Sequence, residues 1–561
     1  MSWRKWFAAE VGVPVVTVAL TMVLIGYALR FGCNAPVMDE WDVTPQLRAS
    51  VRDGRVVEWV LARHNEHHYP AARAVYATVM AAAGYDFRWG MVVSAGALGA
   101  AALVFAAAAR RVRGRAAWAD LVVPALLLNW GAGFNVLMAY QVAFTLAVSA
   151  AAFAAWVVVS DRGGRRWDFV TSLALVALTL NGTAGLCLAA PFAGWVVWRS
   201  ARPPRRWAWT TSAVYLPVAA VAAYGVWAVA GGERAAVPPT RGASVAQFAA
   251  PAGQFLAMGL GTWVTASNWP AVAGFTAAGY AGLALVVARA VAFRPADRLA
   301  ALGLGALLLG TLGMAAGVAW GRGGGLVERY ASLSAAGLAV GWLVVCRWVP
   351  GSPAWNVGGL AAAVALVAAN AGPGERLGKV HRMYYRELEA SVRAGLPPSF
   401  VADRFRGPLF GADRFRDRLE ELRDLDFATF RELPPEPPTV VLLAAHFDPP
   451  RPPDSGTAAV ALPAPPGGGR KLLGVRVGFE TDRDAPWLQL RVVWTGADGS
   501  QKMNTVYPRP GRGAQTTTFY LDDRVSLASV ETLCPEFGFR VTRVEWLGVA
   551  EAGAPPAGPQ P

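Results

Sequence analysis

Charge is scarce in this sequence. Only 16% of its 561 residues are Asp, Glu, Lys or Arg while 54% are hydrophobic, which excludes a purely soluble chain of this length. Cysteine is scarcer still, with four residues at Cys33, Cys187, Cys346 and Cys534. They lie far apart, three of them in or beside apolar segments, so neither a zinc site nor a disulfide framework is implied. Acidic residues number 38 against 52 basic ones, for a formal net charge of +14. The arginines sit in short loops between apolar runs rather than on one soluble module, so the excess reads as topogenic charge and no nucleic-acid partner is expected. A cleavage signature is also missing: Arg4 and Lys5 precede an apolar stretch from Val11 to Leu29 with no small-residue processing site after it. That stretch is expected to remain as a signal anchor.

What the chain has in abundance is apolar runs. A helix needs about 20 apolar residues to cross a bilayer, and such runs lie near 11–31, 90–109, 120–139, 141–160, 208–230, 270–292, 299–320, 331–346 and 355–372. A further run, 169–198, is too long for one crossing and is broken at Asn181-Gly182-Thr183. Basic clusters flank it on both sides (Arg162, Arg165, Arg166; Arg199, Arg202, Arg205, Arg206), so it reads as a hairpin of two short helices with both ends in the cytoplasm. The other basic loops (Arg4 and Lys5, Arg110 to Arg115, Arg289, Arg294, Arg298, Arg347) fall on the same side if about eleven spans alternate. That places 32–89, 231–269, 321–330 and everything after Gly372 outside. Segment 243–265 holds Pro251 and Gln254 and reads as re-entrant or interfacial.

From Pro373 to about Pro437 the chain turns charged, with helical patterns over Tyr384 to Arg393 and Asp413 to Asp424, and resembles a stalk ended by a proline run. Beyond it, Leu473, Val475, Val477 and Phe479 alternate with polar or small residues, as do Leu488, Leu490, Val492 and Trp494 before an Asp498-Gly499 turn. This period of two predicts an antiparallel β-sandwich over 438–552, followed by a disordered tail at 553–561. The expected fold is thus a polytopic α-helical membrane domain over 1–372, with a first outer loop at 32–89, a helical stalk at 373–437 and an extracytoplasmic sandwich. The alanine- and arginine-rich composition fits a bacterial inner membrane.

Two polar clusters stand out in the first outer loop. Met38-Asp39-Glu40-Trp41-Asp42 puts three carboxylates within four residues, and Arg63-His64-Asn65-Glu66-His67-His68-Tyr69-Pro70 holds three of the five histidines. Mutually repelling carboxylates persist where a cation, a substrate hydroxyl or a base uses them, and also as a plain solvated turn. The histidine segment is compatible with a divalent metal ion, with acid/base work, with hydrogen bonding to a sugar ring or phosphate, and with capping the next span. On a helix, His64 would share a face with His67 or His68. The spacing does not match a two-histidine zinc helix.

A carboxylate pair just after the first span, in a long outer loop of a basic, many-spanning chain, resembles the GT-C superfamily of polyprenyl-phosphate-sugar-dependent glycosyltransferases, including the protein O-mannosyltransferase and aminoarabinose transferase branches. The resemblance implies transfer of a sugar from a polyprenyl-phosphate donor to a glycan, lipid or protein acceptor, with Asp39 as base and Glu40 as its partner. Asp42, His64, Asn65, Glu66, His67 and Gln141 are the further candidates for holding substrate. Arg329 and Tyr330, in a glycine-rich segment at the outer membrane surface, are candidates for steadying the phosphate, or equally a snorkelling arginine and an interfacial tyrosine. Asn129, Trp130, Asn135, Tyr140 and Gln141 form a polar cluster at membrane depth that either lines a donor groove or joins neighbouring helices. Trp487, Trp494, Tyr507, Tyr520 and Trp546 suit either sugar stacking or the sandwich core. A polysaccharide polymerase or ligase, a lipid-linked-sugar transporter and a non-enzymatic membrane scaffold are the alternatives.

Overall fold

The computed structural model describes residues 3–64, 67–200, 220, 245–321, 325–349, 351–405, 412–435, 439–446, 459–465, 471–481, 490–496, 498–506, 513–532 and 539–549. The chain divides into two compact units, Met1–Met383 and Tyr384–Pro561.

The first unit is helical. Its elements are α1 (Trp3–Phe31), α2 (Glu40–Arg52), α3 (Val56–Leu61), α4 (Pro70–Ala82), α5 (Phe87–Arg113), α6 (Val122–Leu127), α7 (Gly133–Val136) and α8 (Val142–Ser160). There follow α9 (Arg165–Thr179), α10 (Gly182–Ser200), α11 (Val245–Met258), α12 (Trp269–Phe293), α13 (Arg298–Gly321), α14 (Ala331–Trp348) and α15 (Pro353–Arg393), of which the residues up to Met383 belong to this unit. Among the described residues, eight helical segments are long and apolar enough to cross a bilayer. They make this a membrane-embedded protein. The expected span at 208–230 lies outside the described residues, and the hairpin helices α9 and α10 pack on each other but are not among the eight. α11, at 14 residues, is too short to cross.

Ion pairs join the helix ends at one end of this bundle. Glu10 pairs with Arg110 at 2.7 Å, Arg113 with Asp120, and Asp297 with Arg347 at 2.6 Å. Arg199, 1% exposed, holds Asp161 at 2.5 Å and Asp168 at 2.6 Å. These residues come from the loops read as one-sided from their charge, and two tryptophan side chains link them, Trp342 to Asp120 and Trp195 to the Leu299 carbonyl. Within the bilayer-length segments small residues let helices close up: a β-carbon at Gly310 of α13 would meet the Leu188 backbone of α10 at 2.8 Å.

The segment at 120–139 is not one helix. α6 stops at Leu127 because the Asn129 side chain donates back to the Ala125 and Leu126 carbonyls at 2.6 and 3.1 Å and accepts from the Gly131 amide at 2.7 Å. A short 3-10 turn, Trp130–Ala132, leads into α7. By contrast α15 runs 41 residues straight through Pro373, where a stalk was expected to begin. A proline deletes one helical hydrogen bond, yet the helix continues, with Tyr27 donating to the Gly374 carbonyl at 2.8 Å and Trp130 packed on Gly374 just beyond it.

In the second unit part of the region read as a stalk is folded onto the sandwich. Phe400 of α16 (Pro398–Arg404) packs with Leu473, Leu547 and Tyr520, and Thr518 donates to Asp403 at 2.5 Å; α17 (Ala412–Asp424) packs on α16. The sandwich strands are β1 (Thr439–His446), β2 (Ala459–Ala461), β3 (Lys471–Thr481), β4 (Leu490–Thr495), β5 (Gln501–Val506), β6 (Gly513–Arg524), β7 (Leu527–Thr532) and β8 (Phe539–Val549). They form two antiparallel four-stranded sheets, ordered β1-β8-β3-β6 and β2-β7-β4-β5. Alternate residues Val475, Val477, Phe479, Leu490, Val492 and Trp494 fill the core with Trp546. Trp494 and Trp546 are therefore core residues and Tyr520 is packed on Phe400, while Trp487, Tyr507 and the tail 553–561 lie outside the described residues.

Candidate functional site

The site starts where α1 ends. The chain leaves Phe31, and at Met38 it adopts φ +50°, a left-handed conformation rare for a side chain of this shape. That reversal starts α2 with Asp39 as its N-cap residue and Glu40 as its first helical residue. The Asp39 carboxylate makes no capping bond to its own helix, and its side chain is 29% exposed. Glu40 turns the other way and is fully buried. One of its oxygens accepts the Tyr140 amide at 2.7 Å and the other the Val37 amide at 2.8 Å. Burial pushes the Glu40 carboxyl up to about 8; the two amides oppose this shift, and the Asp39 charge adds to it. Glu40, expected as a partner in the chemistry, thus fastens the Asp39 turn to the loop before α8. Asp42 sits partly exposed in the first turn of α2.

The described residues of the histidine segment reverse the chain between His64 and His67 rather than forming a helix. His64 and His67 exchange backbone hydrogen bonds at 2.8 and 3.0 Å, but their rings meet different partners. Pro70 explains the turn: it begins α4, and the residue before a proline avoids helical angles. His64, 8% exposed, brings Nε2 to 3.9 Å from the Asp39 carboxylate and packs edge-on to Tyr140 at 5.4 Å between ring centroids. His67 instead shares a 2.7 Å hydrogen bond with the Thr183 hydroxyl in the first turn of α10. His68 accepts from Arg63 at 2.8 Å, and burial with that neighbouring cation holds its pKa below the ordinary histidine value. Gly182, at φ +69°, lets the turn seat Tyr69, because a β-carbon there would lie 2.2 Å from the tyrosine ring. Asn65 and Glu66 lie outside the described residues.

The segment between α7 and α8 collects the remaining candidates. Asn135 donates to the Arg329 carbonyl at 2.8 Å and to Gln141 Oε1 at 3.4 Å. Arg329 lies in the 3-10 turn Glu328–Tyr330 with its guanidinium 5.6 Å from the Tyr330 ring, and Tyr330 is buried between Phe144 and Phe255. Glu40, His64 and Arg329, drawn from three separated stretches of sequence, therefore all meet the 135–141 segment that holds Gln141, and His64 brings Asp39 beside them. His67 does not belong to that group. Among the described residues no three His, Cys, Asp or Glu side chains converge as metal ligands.

Sequence reasoning missed Thr44, Tyr76 and Arg73. Thr44 and Tyr76 share a buried hydrogen bond of 2.9 Å, and Tyr76 stands edge-on to Tyr140 at 5.2 Å. Burial raises the Tyr76 phenol well above its usual range, with the Glu40 charge adding to the shift. Two hydroxyl-bearing residues and a single arginine in ordinary helical surroundings give no signal at the sequence level. Compared with known proteins, the chain matches no family model, no curated protein and no solved structure.

Proposed function

We propose that the chain is a GT-C-type membrane glycosyltransferase, moving a sugar from a polyprenyl-phosphate donor to an extracytoplasmic glycan, lipid or protein acceptor. The observation that carries the reading is the Asp39–His64 pair: a partly exposed carboxylate and a buried imidazole 3.9 Å apart, in the loop that follows the first span. In this reading an acceptor hydroxyl attacks the anomeric carbon, its oxygen forms the new glycosidic bond, and its proton passes to Asp39. The bond from that carbon to the phosphate oxygen breaks, and the lipid phosphate leaves with the electron pair.

His64 orients the acceptor or the carboxylate. Glu40 keeps Asp39 in register through the Tyr140 and Val37 amides. Arg329 and Gln141 attend the donor from the 135–141 side. The ion-paired helix ends carry the basic loops, so the positive-inside rule assigns them to the cytoplasm and Asp39 to the opposite face, in a bacterial inner membrane with an extracytoplasmic sandwich. The test is release of labelled sugar from a panel of polyprenyl-phosphate sugars by the purified full chain in nanodiscs. Turnover of one donor supports the assignment; failure to bind or turn over any of them refutes it.

A further inference from the structure

The first outer loop carries one buried cation that the reaction above leaves unused. Arg73 of α4 is 1% exposed. One of its terminal nitrogens donates to the Ala62 and Arg63 carbonyls at 2.9 and 3.1 Å, and the guanidinium lies 4.0 Å from the Trp59 ring centroid. Its Nε is enclosed without a hydrogen-bond partner, and among the described residues no carboxylate pairs with it. A guanidinium keeps its charge in proteins, and carbonyls and an aromatic face offset a buried positive charge only in part.

The Tyr140 hydroxyl is likewise enclosed and without a partner. Both Arg73 and Asp39 act on it as charged neighbours. Its ring contacts His64 and Tyr76, and Tyr76 lies three residues along α4 from Arg73, on the same helix face. Two strong donors with unused capacity thus lie beside the Asp39–His64 pair, in dry surroundings where a charge-assisted hydrogen bond is strengthened.

We propose that the Arg73 guanidinium and the Tyr140 hydroxyl form a subsite for a phosphate oxyanion next to Asp39. The subsite rests on the transfer reading only for the source of the phosphate, which that reading makes a lipid-linked headgroup.

The experiment compares farnesyl phosphate with farnesol, binding each to the full chain in phosphatidylcholine nanodiscs by calorimetry. Wild type is expected to prefer farnesyl phosphate. Tyr140→Phe and Arg73→Lys should each weaken farnesyl phosphate about tenfold or more and leave farnesol unchanged, since each removes a hydrogen bond to a charged group. Tyr140→Phe deletes only a hydroxyl that has no partner, so it keeps the test decisive even where Arg73→Lys disturbs folding. Equal binding of the two probes by wild type, or unaltered farnesyl phosphate binding by Tyr140→Phe, overturns the subsite. Competition by inorganic phosphate supports a subsite for free phosphate, whereas farnesyl phosphate binding that inorganic phosphate does not displace supports a lipid headgroup. Asp39→Asn should retain the phosphate preference; if it also retains sugar transfer, the base assignment fails while the subsite stands.

Discussion

Glu40 gives the sharpest stability prediction. Its carboxyl is fully buried and raised from an ordinary 4.5 to about 8, mainly by burial. Between those values the folded protein holds a proton that the unfolded chain has released. This contribution is therefore complete below about pH 4.5 and declines as pH rises toward about 8, by about 1.4 kcal/mol per pH unit and on the order of 4–5 kcal/mol in total. Glu40→Gln keeps the volume but cannot titrate. It presents an amide NH2 to one of the two backbone amides, which costs about 1–3 kcal/mol where wild type is protonated. The gap between wild type and Glu40→Gln should thus favour wild type by about 1–3 kcal/mol near pH 5, then close and reverse in favour of Glu40→Gln as pH rises toward about 8. Thermal unfolding of both proteins in one detergent, followed by tryptophan fluorescence across about pH 5 to 9, reads this difference while titrations elsewhere cancel. A gap that stays flat across the range, or widens in favour of wild type with pH, would refute the burial of Glu40 against the Tyr140 and Val37 amides.

Three further outcomes follow from the geometry. Gly182→Ala combines a left-handed φ with a β-carbon 2.2 Å from the Tyr69 ring, and should cost about 2–3 kcal/mol and expose the 63–70 turn to proteolysis; a variant as stable and as protected as wild type contradicts the docking of that turn on the α9–α10 hairpin. Arg199→Ala leaves Asp161 and Asp168 buried without their cation and should cost about 3–5 kcal/mol, partly restored by adding Asp161→Asn and Asp168→Asn; the check is apparent melting temperature across the series. Reporter fusions after Arg115 and after Arg206 should report cytoplasm and one after Pro438 the outside, and a cytoplasmic C-terminal reporter contradicts the sidedness.

Apolar length and period carried most of the fold. Runs such as 90–109 and 299–320 leave little alternative to bilayer-length helices, the Asn181-Gly182 break marks the hairpin, and alternation over Val475, Val477 and Phe479 matches β3. The break in 120–139 escaped because it depends on Asn129 turning its side chain back onto its own helix, which hydropathy does not register. The extent of α15 escaped for the opposite reason: Pro373 signals a stop, yet the helix continues, with Tyr27 and Trp130 packed just beyond it. At the site, the polar types of Asp39 and His64 marked themselves in an apolar chain. The burial of Glu40 did not, because one of its two partners is a backbone amide 100 residues away. Nor did the burial of Arg73, which the sequence shows as one arginine in an alanine-rich helix and which among the described residues pairs with no carboxylate.

The most direct test of the central claim compares turnover of a polyprenyl-phosphate sugar by wild type and Asp39→Asn, with binding of the same lipid measured in parallel. Asp39 is partly exposed and caps no helix through its side chain, so the substitution should leave folding and lipid binding intact. The account predicts that wild type transfers the sugar while Asp39→Asn binds the donor and transfers it at least about a hundredfold more slowly. An Asp39→Asn protein that turns over at the wild-type rate would contradict it.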